Sequence, residues 1–229
     1  MSFFESVKRL KSQIEQVESA VTGSKSLLEV YERNAKLEAE IAERTRELET
    51  ANKQMLSLRH IWDMMNSSKP LSHVLKAIVN SLQGELGYNY SFILKQKIDN
   101  EGVYLKTVAT SREDLNKIFL QFANCDINDF RLNFPDIEEV KIAISENKIY
   151  KSNEIALLVN KLIPNTDVDK IHKFLTKSNM RSYIIIPLNF KQTHFGSLVV
   201  FSSRESVKES ELNFLNLYAK QIEMAITIA

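Results

Sequence analysis

From Leu27 onward, apolar side chains return at alternating steps of three and four residues, on Leu27, Val30, Asn34, Leu37, Ile41, Arg44, Leu48, Ala51, Met55, Leu58, Trp62 and Met65. Ten of these twelve positions are apolar, and residues 1–66 hold one glycine and no proline. A repeat of 3.5 residues keeps one seam turned toward a partner helix, so the stretch predicts a left-handed coiled coil rather than an ordinary amphipathic helix. At the rise of an α-helix it spans about 60 Å. The twelve positions are the expected interface of a parallel homodimer.

The two exceptions say how the helices pair. Asn34 sits at an a position, where it meets its twin in a parallel dimer and opposes other registers. Arg33 at g faces Glu38 at e of the partner in the same arrangement. Arg44 at d has to snorkel out of the seam, which makes the seam imperfect. The competing reading is a helix that packs back on its own globular domain. Upstream, Val7, Leu10, Ile14, Val17 and Val21 form a second heptad set, but Val21 to Leu27 is six residues where seven would continue the repeat. Thr22, Gly23 and Ser24 stand at this break. Either the coil shifts phase there, or the chain turns and residues 3–22 form a separate helix.

Charge and cysteine content exclude several functions. Thirty Lys and Arg against 29 Asp and Glu leave a net charge of +1, which argues against a general nucleic-acid binder. Five glycines in 229 residues go with the absence of a P-loop or dinucleotide-binding fingerprint. A single cysteine, Cys125, rules out an internal disulfide and any site built from several thiolates. Tyr183 to Leu188 and Leu198 to Phe201, among the most apolar runs, are too short to span a bilayer, and the N-terminus lacks a signal-peptide core. A cytoplasmic location without membrane insertion is expected.

After "NSSKP" the pattern changes, dividing the chain into a helical region at 1–66 and a mixed domain at 67–229. Leu71, Val74, Leu75, Ile78, Val79 and Leu82 predict an amphipathic helix ending near Gly84 and Gly87. Residues 88–97 and 103–110 read as a hairpin around "IDNEG". An irregular aromatic stretch at 111–136 carries Phe119, Phe122, Phe130 and Phe134. Helices are expected at 137–147 and 168–178, and a short strand at 149–152. Two core strands turn at Lys191 to Thr193, and Leu212, Leu215, Ala219, Ile222, Ala225 and Ile226 mark a last helix. The order predicts an α+β fold: an antiparallel sheet with helices on one face and a variable face left for binding.

Two resemblances follow from these residues. Glu43, Arg44 and Thr45 in "AERTRELETANKQ" resemble the signalling-helix class of dimeric coiled coils, which join sensor to output domains in bacterial signalling proteins. Arg181-Ser182, Pro187-Leu188, Gly196-Ser197-Leu198 and Glu211-Leu212 with Leu215 are similar, in order and spacing, to the C-terminal half of GAF domains. Leu71 through "GELGYNYSFILK" matches the first helix and strand of that family. The resemblance spans about residues 60–229, and it implies a dimerising regulatory module able to hold a small ligand between the sheet and the variable middle segment. Phe92, Phe122, Cys125, Tyr150 and Tyr183 are the candidate pocket residues.

Specialised members of the family can be tested against the residues. Bilin-binding phytochrome relatives commonly carry His after the attaching cysteine, whereas Cys125 is followed by Asp126. The free methionine sulfoxide reductases of this fold need more than one thiol. The Asn-Lys-x-Phe-Asp signature of cyclic-nucleotide binders is not intact at Asn147-Lys148 or Asn160-Lys161. Among apolar neighbours, Cys125 reads as a buried hydrophobe. His60, His73, His172 and His194 show no zinc spacing; His60 lacks the context of a phospho-accepting histidine, and His194 is a weak candidate for a haem ligand. No cofactor, metal or catalytic residue is expected, although a small-molecule ligand of unknown identity fits the family. No kinase, cyclase or DNA-binding motif follows the domain, so output is expected through the coil, through a protein partner, or through a part outside this sequence. The resulting expectation is a non-enzymatic, homodimeric GAF-like sensor whose coil relays conformational change or binds a signalling partner. The alternative is a scaffold whose GAF-like domain binds no ligand and mediates assembly.

Overall fold

The computed structural model describes residues 3–67, 69–117, 126–127, 131–133, 138–162, 168–191 and 193–228. Within these, the side chains of residues 3, 6–7, 17–28, 132–133, 162, 168 and 170 are not described. Helix α1 runs from Phe3–Met65 without interruption, so the backbone stays helical through Thr22, Gly23 and Ser24. The chain divides into two compact units, Met1–Asn52 and Lys53–Ala229. The division precedes the change of pattern at residue 66, because the last turns of α1 pack within the second unit.

Among the described residues, that second unit is a six-stranded antiparallel sheet with helices on both faces. After α2 (Leu71–Gly84) come β1 (Tyr90–Asp99), β2 (Gly102–Thr110) and β3 (Arg131–Asn133). Then follow α3 (Glu138–Ser145), β4 (Tyr150–Ser152), α4 (Ile155–Leu162), α5 (Val168–Ser178), β5 (Ser182–Phe190), β6 (Thr193–Ser202) and α6 (Glu209–Ile228). Strand order is β3-β2-β1-β6-β5-β4. The first of the two hairpins forms as its turn residues dictate. There, Asp99 Oδ1 accepts from the Glu101 N–H at 2.9 Å, and Gly102 takes a φ of 123° that favours glycine.

Two elements carry no expectation from the sequence. Strand β3 is three residues long and pairs only with Tyr104 to Lys106 of β2, too short for an alternation to register. Helix α4 is an eight-residue apolar stretch that buries Ile155, Leu158 and Val159, a length at which periodicity does not separate helix from strand.

Period-two alternation splits the strands between two cores. Ile93, Ile184, Ile186, Leu188, Leu198 and Val200 meet α2, α6 and the end of α1. Tyr90, Phe92, Leu94, Tyr183, Ile185, Val199 and Phe201 point the other way, toward the middle segment, whose helices α3, α4 and α5 cover them.

Candidate functional site

The second face gathers aromatic rings because the register aligns them. Tyr183 lies opposite Phe201, and Phe201 opposite Tyr90. Ring centroids are 6.2 Å apart for Tyr150 and Tyr183, 6.2 Å for Tyr183 and Phe201, 6.0 Å for Phe201 and Phe92, and 5.6 Å for Phe92 and Tyr90. All are tilted pairs at separations where aromatic quadrupoles attract. One continuous row thus crosses β4, β5, β6 and β1. It is packed under Val140 and Ala143 of α3, Leu158 and Val159 of α4, and Ile171 of α5. Tyr183 is 1% exposed.

The structure therefore brings together Phe92, Tyr150 and Tyr183 from the expected set. Phe122 and Cys125 lie outside the described residues, as do Phe119, Phe130 and Phe134. Phe201 and Tyr90 complete the row without having been expected. For Phe201 a signal existed: it alternates with Val199 on a strand whose hairpin partner carries Tyr183.

At one end of the row stands a carboxylate the sequence reading missed. Glu139, in the first turn of α3, is buried; Lys161 Nζ donates to its Oε1 at 2.6 Å. Its Oε2 is buried with no hydrogen-bond partner among the described residues. Burial, together with the charge of Glu139, holds the Tyr183 phenol proton well above its ordinary pKa. At the other end Tyr90 donates to Asn116 Oδ1 at 2.6 Å, and Asn116 Nδ2 donates to Thr110 Oγ1 at 2.8 Å. Burial raises the Tyr90 phenol as well. Both phenols stay protonated near neutrality, so the row offers ring faces and hydrogen-bond donors rather than a base or nucleophile. Among the described residues no group of three or more His, Cys, Asp or Glu side chains is placed to hold a metal ion.

His194, weighed from the sequence as a haem ligand, has both ring nitrogens buried without a hydrogen-bond partner among the described residues. Burial pushes its pKa down from 6.5 to about 4. Because the folded value lies below the unfolded one, the unfolded chain takes up a proton that the folded chain refuses. Stability is then full above pH 6.5 and falls as the pH drops toward 4. His194→Leu is expected to flatten this limb by on the order of 1 kcal/mol. Urea midpoints at pH 7 and pH 4.5 measure it, and equal acid sensitivity in both proteins would remove His194 as the cause.

The expected seam positions separate into two groups. Val30, Asn34, Leu37, Ile41, Arg44, Leu48, Ala51, Met55 and Trp62 are exposed, Leu48 to 71% and Trp62 to 47%; the side chain of Leu27 is not described. Arg44 pairs with Glu47 at 3.0 Å along its own helix. Leu58 and Met65, by contrast, pack into the core of the second unit beside Ile61. These two face the domain, Met65 buried and Leu58 half-buried. From Lys53 onward α1 carries a second apolar face, made by Leu58, Ile61, Met64 and Met65, and the d positions of the heptad fall on it. Ser57 also turns inward and is fully buried. No helix among the described residues is long and apolar enough to cross a membrane.

Comparison with known proteins agrees with this architecture. A family model described as GAF domain matches residues 70–226. The GAF domain from an Acinetobacter phosphoenolpyruvate-protein phosphotransferase superposes with a TM-score of 0.55 at 17% identity, covering 76% of this chain and 93% of that one. The A. aeolicus nlh2 GAF domain in an inactive state gives 0.55 at 15% identity, covering 77% and 97%. The phycocyanobilin-bound GAF domain from a cyanobacterial phytochrome gives 0.54 at 18% identity, covering 76% and 93%. No curated protein matches the sequence.

Proposed function

The chain belongs to the GAF domain family, and on that premise we propose that it is a non-enzymatic, homodimeric regulatory module whose sheet face senses a small molecule or partner and whose α1 relays the change. The observation that carries this reading is the double use of one unbroken helix. Upstream, α1 exposes Val30, Leu37, Ile41, Leu48 and Met55; its final turns bury Ile61 and Met65 in the domain core. An exposed apolar stripe of that length marks a contact surface. A partner packed along it would bind the same helix whose last turns belong to the domain. A change in the packing of α2, α6 and the end of α1 would then alter the register or rotation of the paired helices, in which Asn34 and Arg44 weaken the seam. The module is proposed to act in the cytoplasm and to engage a protein partner in signalling.

The scaffold reading has an observation of its own: Tyr183, Phe201 and Phe92 fill their face of the sheet with side chains already buried. Native mass spectrometry of freshly purified protein, set beside its denatured mass, separates the two. A dimer carrying extra mass that leaves on denaturation is the expected result for the sensor. A larger assembly without extra mass favours the scaffold, and a bare monomer at micromolar concentration would overturn both.

A further inference from the structure

Among its described residues, α1 buries one polar side chain, Ser57, and it does so at the meeting of three helices. Ser57 Oγ lies 2.6 Å from Ser81 Oγ of α2, and donates to the Tyr218 hydroxyl of α6 at 3.5 Å. Both of those hydroxyls have another acceptor within the domain. Tyr218 donates to the carbonyl of Ile78 at 3.0 Å, and Ser81 donates to Glu85 Oε2 at 2.8 Å. Burial pushes the Tyr218 phenol up to about 12, so it keeps its proton. Ser57 thus supplies its one hydrogen chiefly to Ser81, whose own hydrogen is on Glu85, and shares it at the limit of hydrogen-bond distance with Tyr218.

The consequence is asymmetric. With α1 docked, Ile61 and Met65 fix which face of the helix turns inward, and Ser57 fixes it more finely, because a hydrogen bond is directional where apolar burial is not. Turning the helix by one residue, about 100°, would set Leu56 or Leu58 against two hydroxyl oxygens and leave Ser57 without its partners. With α1 undocked, neither Ser81 nor Tyr218 is left with a stranded donor, and Ser57 bonds to water or to a carbonyl of its own helix. One turn further, His60 Nδ1 and Glu85 Oε1 approach to 3.3 Å at the surface. We propose that residues 53–65 of α1 are a detachable segment, held in one rotational setting by the Ser57, Ser81 and Tyr218 hydroxyls and able to leave without stranding a donor in the domain. This segment is where the relay proposed above would act. Its test needs neither ligand nor partner, so the two readings fail separately.

Amide hydrogen exchange of the full chain at neutral pH, followed by mass spectrometry, reads the segment directly. Residues 53–65 are expected to exchange at least about tenfold faster than the strand cores at 183–188 and 198–201, through an opening short of global unfolding. Ser57→Ala is expected to speed exchange of 53–65 by about five- to tenfold, the effect of one lost hydrogen bond, with strand rates unchanged. Exchange of segment and strands together in the wild type would overturn the proposal. So would a Ser57→Ala protein in which the segment is unaffected or in which the strands accelerate equally.

Discussion

Gly196→Ala is expected to cost the domain on the order of 3–5 kcal/mol, a large share of the roughly 5–15 kcal/mol that holds a typical domain folded. Gly196 sits on β6 between β1 and β5, paired with Lys95 on one side and Leu188 on the other. A Cβ at this position would overlap the carbonyl oxygen of Leu94 and crowd the backbone behind it. Its neighbours are backbone atoms of a central sheet, with no flexible side chain to swing aside, so relief requires parting β1 from β6. That pairing also carries Phe201 against Tyr90, and the aromatic row would loosen with it. Gly84→Ala is the control. Gly84 ends α2 with nothing within 4 Å of a Cβ, and alanine there is expected to be neutral or to stabilise by a few tenths of a kcal/mol. Urea denaturation of the three proteins tests the contrast. Equal midpoints for the two variants would mean that the close approach of Leu94 does not constrain the fold.

Gly196 also shows what the sequence holds and what it hides. Its place in Gly196-Ser197-Leu198 marks the strand as similar to a known family, yet the reason for the glycine is a neighbour about a hundred residues away on β1. Local features were legible because their causes are local. Asp99, Asn100 and Gly102 specify one turn, and the apolar spacing of Leu71 to Leu82 specifies α2. The aromatic row was half legible. Tyr183, Tyr150 and Phe92 stand out as large rings in short strands, and Phe201 follows from the hairpin that carries Tyr183, but adding Tyr90 and joining Phe92 to them requires knowing that β1 lies beside β6. Ser57 and Glu139 were missed for a shared reason. A polar residue in a charged helix reads as solvent-facing unless a second periodicity is noticed beneath the first. In α1 that second face is Leu58, Ile61, Met64 and Met65, overlaid on a heptad strong enough to claim Leu58 and Met65 for itself. For Glu139, the charge partner is Lys161 of α4, an element the sequence did not announce.

Replacing Ile41 and Leu48 together with glutamate is expected to convert the proposed dimer to monomer at micromolar concentration while leaving the domain's melting temperature unchanged. Both residues occupy a positions, 64% and 71% exposed on the single chain. In a parallel pair each a residue meets its own copy, so the double variant sets four carboxylates against one another in two layers. The loss of four apolar side chains from a seam amounts to roughly 6 kcal/mol, about four decades in Kd, before like-charge repulsion is added. Ile41 and Leu48 fall in the unit that ends at Asn52 and neither joins the core around Ile61, so the substitutions remove no contact from the domain itself. Sedimentation equilibrium of wild type and variant measures the mass, and differential scanning calorimetry the domain. Acidification supplies a check on the cause: protonating the glutamates removes their charge, so the variant is expected to regain part of its association near pH 4. A wild-type monomer would return α1 to the competing reading of a helix whose only apolar contact is with its own domain. A variant that loses association and domain stability together would show that the first unit supports the second, and the proposed division of labour along α1 would have to be given up.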